Sequence, residues 1–241
     1  MIVAIDAGNS RIKWAAHDGQ RWQDRGVQAT ADVARLAEDL GRWPENVRAV
    51  VCNVAGKAVG DSISSLLARR GARVSFLKAS AEACGVRSSY EIPQQLGADR
   101  WAALIGARAA LGGACLVVCA GTATTVDLLD AEGVFRGGLI LPGFDLMRAA
   151  LARNTAQLPL AEGSYREQPR NTMDAIVSGC LQAQLGAIER MFRSIADEPG
   201  ARCLLTGGTA PHLAAHLNIP FQLMDNLILD GLLRFAASPG S

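Results

Sequence analysis

The chain has 241 residues, with 24 Lys and Arg against 23 Asp and Glu, and 49% of its residues are hydrophobic. This composition is typical of a soluble globular protein and excludes the collagen-like and disordered classes. A formal net charge of +1 argues against a dedicated nucleic-acid or membrane-surface binder, because both usually carry a basic excess. The length allows either one large domain or two smaller ones.

Cysteine usage and the first residues favour a cytoplasmic protein. The 6 cysteines form no C-x-x-C pair and most lie in apolar runs, so we expect reduced, buried thiols. The first residues lack the basic and apolar regions of a signal peptide, and the apolar run around 116–118 is too short to span a bilayer. We therefore predict no membrane partner and no nucleic-acid partner.

The first half of the chain is predicted to alternate strands and helices. A Gly-Asn-Ser turn separates two apolar segments, which predicts a hairpin, and Thr30 is the expected N-cap of the first helix. Residues 79–96 look irregular. The predicted strands are 2–6, 11–16, 47–55 and 73–77, and the predicted helices are 30–40, 61–71 and 98–111.

The second half begins with three strands in close succession, which predicts an antiparallel meander. Helices and two further strands follow, so the whole pattern is α/β. The predicted strands are 114–121, 123–130, 135–141, 201–209 and 219–223, and the predicted helices start near 143 and cover 173–195, 210–217 and 227–237, with a polar loop at 156–170.

A short pattern occurs twice in the sequence. Residues 3–10 (VAIDAGNS) resemble residues 117–124 (VVCAGTAT), because each has an apolar strand, Ala-Gly, and then small polar residues before a second strand. Chance similarity of two short strands is the alternative explanation. The two copies begin near residues 2 and 116, which predicts two similar halves, 1–114 and 115–241, with a nucleotide cleft between them.

These repeated turns suggest phosphate binding. Glycine at the apex of a hairpin lets backbone N–H groups approach an anion, and two such hairpins can clamp a polyphosphate. A third glycine turn, LTGGT at 205–209, follows a later strand and precedes a helix. The sequence contains neither a Walker A loop nor a Rossmann G-x-G-x-x-G motif, so the order of the three turns is the informative signal.

Two hairpins followed by a strand, two glycines and a helix resemble the actin and sugar-kinase superfamily of ATPases. In detail the sequence is similar to type III pantothenate kinases. The matching segments are DAGNSRIKW (6–14), LGADRW (96–101), AGTATTVD (120–127), GGLILPG (137–143), NTMDAIVSG (171–179) and LTGG (205–208). The resemblance implies two duplicated ribonuclease-H-like domains of the actin and sugar-kinase type, with mixed sheets flanked by helices.

The same resemblance implies the reaction. ATP phosphorylates the hydroxyl group of pantothenate and gives 4'-phosphopantothenate, in the first step of coenzyme A biosynthesis. It also implies a homodimer whose substrate pocket lies at the subunit interface.

The resemblance further implies which residues bind ATP and its Mg²⁺. Asp6 is expected to place the Mg²⁺, through water, although an Asp at this position could instead stabilise a turn. Thr122 of the second hairpin is expected to contact ATP. Lys13 offers a positive charge to phosphate, or is a solvated strand residue. The ATP-binding segment comprises Asp6, Ala7, Gly8, Asn9, Ser10, Arg11, Ile12 and Lys13.

Asp99 matches the proton acceptor of the family, and an N-cap role for the following helix is its alternative. Arg100 is suited to hold the pantothenate carboxylate or a phosphate with a bidentate fork. Tyr90 and Thr172 match substrate contacts, with packing and helix capping as their respective alternatives. The substrate-binding set is Tyr90, Gly97, Ala98, Asp99, Arg100 and Thr172.

One residue departs from the family pattern. Many relatives carry Asp-x-Gly-Thr in the second hairpin, where the Asp binds a monovalent cation, K⁺ or NH₄⁺. Here Cys119 occupies this position, and a neutral thiol is a poor ligand for hard K⁺. Asp127 lies on the following strand as a weaker substitute, so the cation requirement is in doubt.

Two other functions compete with a pantothenate kinase. The first is a non-catalytic regulator on the same fold, against which the retained Asp6, Lys13, Asp99 and Arg100 argue. The second is a kinase or phosphatase of the same superfamily with a different acceptor. Only Tyr90 and the segments around Asp99 and Thr172 separate this possibility from pantothenate kinase.

Overall fold

The computed structural model describes residues 1–160 and 162–238. Its contacts divide the chain into two compact units. The first unit comprises Met1–Gly112, Gly133–Phe135 and the segment from Asn226 onward, and the second comprises Gly113–Glu132 and Arg136–Asp225. The first unit thus takes in Gly133–Phe135 and the last helix, and the division into halves 1–114 and 115–241 stays a prediction.

The elements up to Ala110 are seven strands, three α-helices and two short 3₁₀ turns. The strands are β1 (Ile2–Ala7), β2 (Arg11–His17), β3 (Trp22–Ala29), β4 (Arg48–Asn53), β5 (Arg73–Phe76), β6 (Glu82–Ala83) and β7 (Val86–Ser88). The helices are α1 (Leu36–Leu40), α2 (Lys57–Ala68) and α3 (Ala98–Ala110), and the 3₁₀ turns are Thr30–Arg35 and Pro93–Gln95.

The remaining described chain adds five strands and four helices. The strands are β8 (Cys115–Ala120), β9 (Ala123–Leu129), β10 (Val134–Pro142), β11 (Arg202–Thr206) and β12 (Phe221–Leu223). The helices are α4 (Phe144–Asn154), α5 (Thr172–Phe192), α6 (Ala210–Ala214) and α7 (Leu227–Ala236).

The two sheets share a run of five strands. The first sheet has the order β3-β2-β1-β4-β5, with β1 antiparallel to β2 and parallel to β4. The second sheet has seven strands in the order β12-β11-β8-β9-β10-β7-β6, with β8 antiparallel to β9 and parallel to β11. Its run β10-β9-β8-β11-β12 repeats the order of the first sheet. Both sheets mix parallel and antiparallel pairs, which confirms the predicted α/β fold with mixed sheets flanked by helices.

Each unit has its own apolar core on one face of its sheet. In the first unit Val3, Ile5 and Ala7 of β1 pack in a core with residues of α1 and α2. In the second unit Leu116 and Val118 of β8 pack in a core with residues of α5 and α6. Side chains alternate across a strand, so the neighbouring residues of β1 and β8 lie on the opposite faces.

Two glycines allow α3 and α7 to pack closely. A Cβ atom at Gly106 would collide with the carbonyl oxygen of Leu227, and one at Gly231 would collide with the carbonyl oxygen of Ala102. Because only glycine permits this backbone approach, α7 is fixed on α3 even though 116 residues separate their nearest ends in sequence, from Ala110 to Leu227. This contact explains why the last helix belongs to the first unit.

One strand was missed, and one local prediction was wrong. Strand β3 was not predicted, because its sequence WQDRGVQA contains few apolar residues to mark a strand. Thr30 is not an N-cap: Ala29 occupies that position without a side-chain hydrogen bond. The Thr30 hydroxyl instead donates to the carbonyl oxygen of Gly8 at 2.6 Å, which ties the end of β3 to the first hairpin.

Candidate active site

Three chemically active side chains form a row across the first sheet. Asp6 of β1 lies opposite Lys13 of β2 and beside Cys52 of β4. The residues before and after Asp6 belong to the apolar core, so the Asp6 carboxylate lies on the other face. Helices α3 and α7 pack against the strands of this sheet, and α3 carries Asp99.

The environment of Asp6 opposes its ionisation. Only 8% of the residue is exposed. Burial, followed by the nearby Asp99 carboxylate, raises the pKa of Asp6 to about 7, although Lys13 and a hydrogen bond from the Cys52 thiol lower it. Two acidic groups are thus held close together in a partly water-excluded place, an arrangement typical of functional sites.

The first hairpin presents exposed polar residues. Asn9 and Ser10 are exposed at its tip, and the Gly8 N–H donates to the Arg11 carbonyl at 3.0 Å. The backbone N–H of Thr30 donates to the Ser10 carbonyl at 3.1 Å. Because Thr30 holds both ends of the turn, the hairpin keeps a fixed shape with its polar tip facing outward.

Asp99 occupies the first turn of α3. The N-cap of α3 is Gly97, which makes no side-chain capping bond, so the capping alternative for Asp99 is not observed. Its Oδ1 accepts the backbone N–H of Arg100 at 2.8 Å. A carboxylate at a helix N-terminus is stabilised by the positive end of the helix dipole, and Asp99 is only half-buried, so it remains accessible to a substrate.

Arg100 and Tyr90 are brought together beside Asp99. Arg100 is 5% exposed, and its Nη1 donates to the Tyr90 hydroxyl oxygen at 3.1 Å. The guanidinium carbon lies 5.8 Å from the centre of the Tyr90 ring. Tyr90 therefore contacts Arg100 through both its ring and its hydroxyl. This paired contact is more specific than the ordinary packing that was the alternative for Tyr90.

The second hairpin has a tighter turn than the first. The Gly121 N–H donates to the Ala123 carbonyl, two residues on, at 3.0 Å, whereas the Gly8 N–H donates to the Arg11 carbonyl, three residues on. Thr122 is exposed at the tip, and its carbonyl accepts the Gly143 N–H at 2.9 Å. The start of α4 thus fixes the backbone of this hairpin and leaves the Thr122 side chain at the surface of the second unit.

The third glycine turn packs on the end of β8. Gly207 has φ of 107°, and a Cβ atom there would collide with the Ala120 carbonyl. The same carbonyl accepts both the N–H and the hydroxyl of Thr209, at 3.2 and 3.1 Å. Only glycine satisfies this conformation and this close approach together, so the second hairpin and the LTGGT turn form one local structure.

Thr172 is the first residue of α5 and is exposed. The N-cap of α5 is Asn171, whose side chain accepts the Asp174 N–H at 2.9 Å. The alternative role of Thr172 as the N-cap is therefore wrong, because the residue before it caps the helix. The Asp174 carboxylate also accepts the Ser164 N–H at 2.8 Å, which ties the preceding loop to α5. This bond and a hydrogen bond from the Asn171 side chain lower the pKa of Asp174.

Cys119 lies near the end of β8, opposite Thr125 of β9. Asp127 lies two residues further along β9, on the same face as Thr125, and is completely buried. The six cysteines are thiols outside any disulfide, and four are buried. Within the part of the chain that the structure describes, no helix is long and apolar enough to cross a membrane.

The acidic residues of the first unit fit a magnesium ion bound together with a nucleotide. Across residues 1–160 and 162–238, no group of three or more His, Cys, Asp or Glu side chains could hold a metal by itself. Asp6 and Asp99 repel each other, and a divalent cation would relieve this repulsion. Mg²⁺ typically takes one or two carboxylates and completes its shell with water and phosphate oxygens, which matches a site with few protein ligands.

The structure thus places Asp6, Lys13, Asp99, Arg100 and Tyr90 in the first unit, and it places Thr122 and Thr172 in the second. Sequence reasoning missed two residues of the site. Cys52 was assigned only to a buried strand, although its position at the end of a strand parallel to β1 was a usable signal. Phe135 contacts Arg100 and carries no sequence signal.

Comparison with known proteins shows the family to which this chain belongs. The family model of type III pantothenate kinases matches residues 2–194. The chain is 59% identical over 232 residues to the type III pantothenate kinase of Aromatoleum aromaticum, covering 96% of each chain. It is 47% identical over 236 residues to that of Dechloromonas aromatica, covering 98% of this chain and 99% of the relative.

A solved structure of a proposed 2-dehydro-3-deoxygalactonokinase from Sinorhizobium meliloti superposes with a TM-score of 0.60. The match covers 98% of this chain and 96% of that chain at 17% identity, which supports the fold alone. The family match and the fold together define an ATP-dependent kinase. The chain belongs to the type III pantothenate kinase family, whose members transfer a phosphoryl group from ATP to pantothenate in the first step of coenzyme A biosynthesis.

Proposed function

We propose that this chain phosphorylates pantothenate with Asp99 as proton acceptor and Asp6 as the residue that places Mg²⁺. The observation that carries this assignment is the placement of Asp99 beside the buried Asp6. Two carboxylates with different exposure can take different roles. The buried Asp6 suits a structural metal contact, and the more accessible Asp99 suits an exchange of protons with substrate.

In the proposed reaction, the pantothenate hydroxyl oxygen attacks the γ-phosphorus of ATP. The new P–O bond forms as the bond to the β-phosphate oxygen breaks, ADP leaves, and the hydroxyl proton passes to Asp99. Phosphoryl transfer depends mainly on positioning and charge neutralisation, so proton transfer follows late in the step. When bound, Mg²⁺ supplies neutralisation of the phosphate charge.

ATP is proposed to contact each glycine turn through backbone N–H groups. The segment 6–13 supplies the first hairpin, in which Lys13 adds a positive charge directly opposite Asp6. Thr122 supplies a hydroxyl in the second hairpin. Both hairpins have fixed backbones and exposed polar tips, so little ordering is required when the phosphates bind.

Pantothenate is proposed to contact the loop and helix start that hold Tyr90, Gly97, Ala98, Asp99 and Arg100. A buried, oriented guanidinium suits a carboxylate, because its fork matches two carboxylate oxygens. Resemblance to the family adds Thr172, contributed across a homodimer. It also supports a cytoplasmic location.

The non-catalytic alternative does not explain this geometry. A regulator that acts through protein contacts does not need an Asp whose pKa is raised to about 7 beside a second carboxylate. Burying such a group costs stability, and that cost is typical of catalytic sites. The remaining competitor is therefore a kinase with another acceptor.

The acceptor is tested by ADP release coupled to a dehydrogenase reaction, with ATP and Mg²⁺ and a panel of small alcohols. We expect pantothenate to give the highest kcat/KM, with glycerol and hexoses near the background rate without an acceptor. Equal or greater turnover with a hexose would show that pantothenate is not the preferred acceptor, although the protein would still be a kinase.

Activity is expected to depend little on K⁺ or NH₄⁺, because the Cys119 thiol is a poor ligand for a hard cation. Replacing Na⁺ by either ion at constant ionic strength should change kcat/KM by less than about twofold. The matched variant Cys119→Asp restores a carboxylate and should introduce stimulation by K⁺. Strong stimulation of the unchanged protein by K⁺ or NH₄⁺ would contradict this prediction.

A further inference from the structure

The side chain of Arg100 lies in a notch formed by two aromatic rings. Its guanidinium carbon is 5.8 Å from the centre of the Tyr90 ring and 5.7 Å from the centre of the Phe135 ring. The two ring centres are 5.1 Å apart, so the three centres form a nearly equilateral triangle. Both distances are within the range of a cation–π interaction, and the guanidinium therefore contacts both rings.

Phe135 is held firmly in this place. Its side chain is completely buried, and in the pairing of β10 with β7 it lies opposite Ser88. Its carbonyl oxygen accepts both the N–H of Ser89, at 3.1 Å, and the hydroxyl of Ser89, at 2.6 Å. The ring cannot move away from Arg100 unless these backbone bonds are lost or the side chain leaves its rotamer.

A buried guanidinium needs such support. Arg100 is 5% exposed, and a charge removed from water is costly unless other groups stabilise it. An arginine side chain also loses much rotamer freedom when it is fixed. The two rings and the hydrogen bond to Tyr90 contribute to both requirements before any ligand arrives, which lowers the cost of binding.

We propose that Phe135 is a positioning residue for the acceptor, and that with Tyr90 it holds the Arg100 guanidinium in the orientation that receives the acceptor's carboxylate. This inference rests on the proposed function, which assigns Arg100 to the acceptor. Phe135 acts only through Arg100 and takes no part in phosphoryl transfer. Its removal therefore weakens acceptor binding and leaves the chemical step unchanged.

The test compares steady-state kinetics of the wild type with those of Phe135→Leu. We expect the KM for pantothenate to rise about threefold to thirtyfold, as loss of one cation–π contact predicts, with kcat and the KM for ATP almost unchanged. Phe192→Leu is the matched control, because Phe192 is a buried phenylalanine in the core of the second unit. It should leave the KM for pantothenate at the wild-type value.

A second acceptor separates orientation of the guanidinium from general damage. In the pantothenate analogue with a hydroxymethyl group in place of the carboxylate, Arg100 has no anion to bind. We expect Phe135→Leu to have the same KM for this analogue as the wild type. A thermal melt of each variant shows whether it is folded, and Ser89→Ala, which removes one bond to the Phe135 carbonyl, should raise the KM for pantothenate in the same direction by a smaller factor.

Two results would overturn the inference. One is an unchanged KM for pantothenate in both folded variants, and the other is an equal rise in KM for pantothenate and for the analogue. Failure of the proposed function has a different signature, since the wild type itself would then not turn over pantothenate. The two failures are thus distinguishable in one set of measurements.

Discussion

Asp99→Asn is expected to reduce kcat for pantothenate phosphorylation by about 10²- to 10⁴-fold, the usual contribution of a general base. The amide keeps the shape of the side chain and can still accept the Arg100 N–H. It cannot take up the proton of the attacking hydroxyl. Binding of ATP and pantothenate should change little, so the KM values should stay within about threefold of those of the wild type.

The measurement is ADP release at saturating ATP and pantothenate. Asp61→Asn is the matched control, because Asp61 is an exposed carboxylate in α2 that pairs with Lys57 and lies outside the proposed site. Exposed ion pairs contribute little to stability, so this control should retain full activity. An Asp99→Asn protein with wild-type kcat would remove Asp99 from its role as proton acceptor.

Asp6→Asn is expected to abolish most of the activity and at the same time to stabilise the metal-free protein. Loss of the charge that places Mg²⁺ removes neutralisation at the phosphates, so kcat should fall at least 10²-fold. The stability gain follows from the raised pKa of Asp6, which rises from 3.8 to about 7 in the folded protein. Above about pH 7 the folded state must carry a buried charge that the unfolded state carries in water.

The sign of this effect depends on pH. Between about pH 4 and 7 the folded protein binds more protons than the unfolded chain, so stability falls as pH rises through this window. Asp6→Asn removes that loss of stability. The free energy of unfolding of the variant should exceed that of the wild type by about 1–4 kcal/mol at pH 8, and the difference should nearly vanish at pH 4. Urea unfolding at the two pH values, without nucleotide or metal, measures it.

Asp174→Asn provides a control of opposite sign. The folded-state pKa of Asp174 is lowered by its hydrogen bonds, so its stabilisation is present at neutral pH and is lost as pH falls through its folded-state pKa. This variant should therefore be less stable than the wild type at pH 8. If Asp6→Asn were also less stable at pH 8, the account of Asp6 as a strained buried acid would be wrong.

The fold could be predicted from sequence because its signals are local. Apolar runs ended by glycine marked β1 and β8, and the repeated Ala-Gly pattern marked the turn that joins each of them to an antiparallel strand. Strand β3 escaped because its residues alternate in exposure without an apolar face. The position of α7 on α3 depends on Gly106 and Gly231, which only a three-dimensional contact can pair.

The site could be predicted only in part. Motif resemblance pointed to Asp6, Asp99, Arg100 and Tyr90, which the structure places in the first unit. Their roles stay predictions. The resemblance could not identify Phe135, because the ring reaches Arg100 through the pairing of β10 with β7 and not through any sequence motif. Packing around a site residue depends on tertiary contacts, and a single sequence does not encode these in a readable pattern.

Identification of the phosphorylated product tests the central claim most directly. The purified wild-type protein is incubated with Mg²⁺, ATP and pantothenate, and ADP and phosphorylated acceptor are quantified together by ³¹P nuclear magnetic resonance and mass spectrometry. The account predicts 4'-phosphopantothenate and ADP in equal amounts, with formation of both nearly lost in Asp99→Asn. Release of ADP with inorganic phosphate and without a phosphorylated acceptor would contradict it.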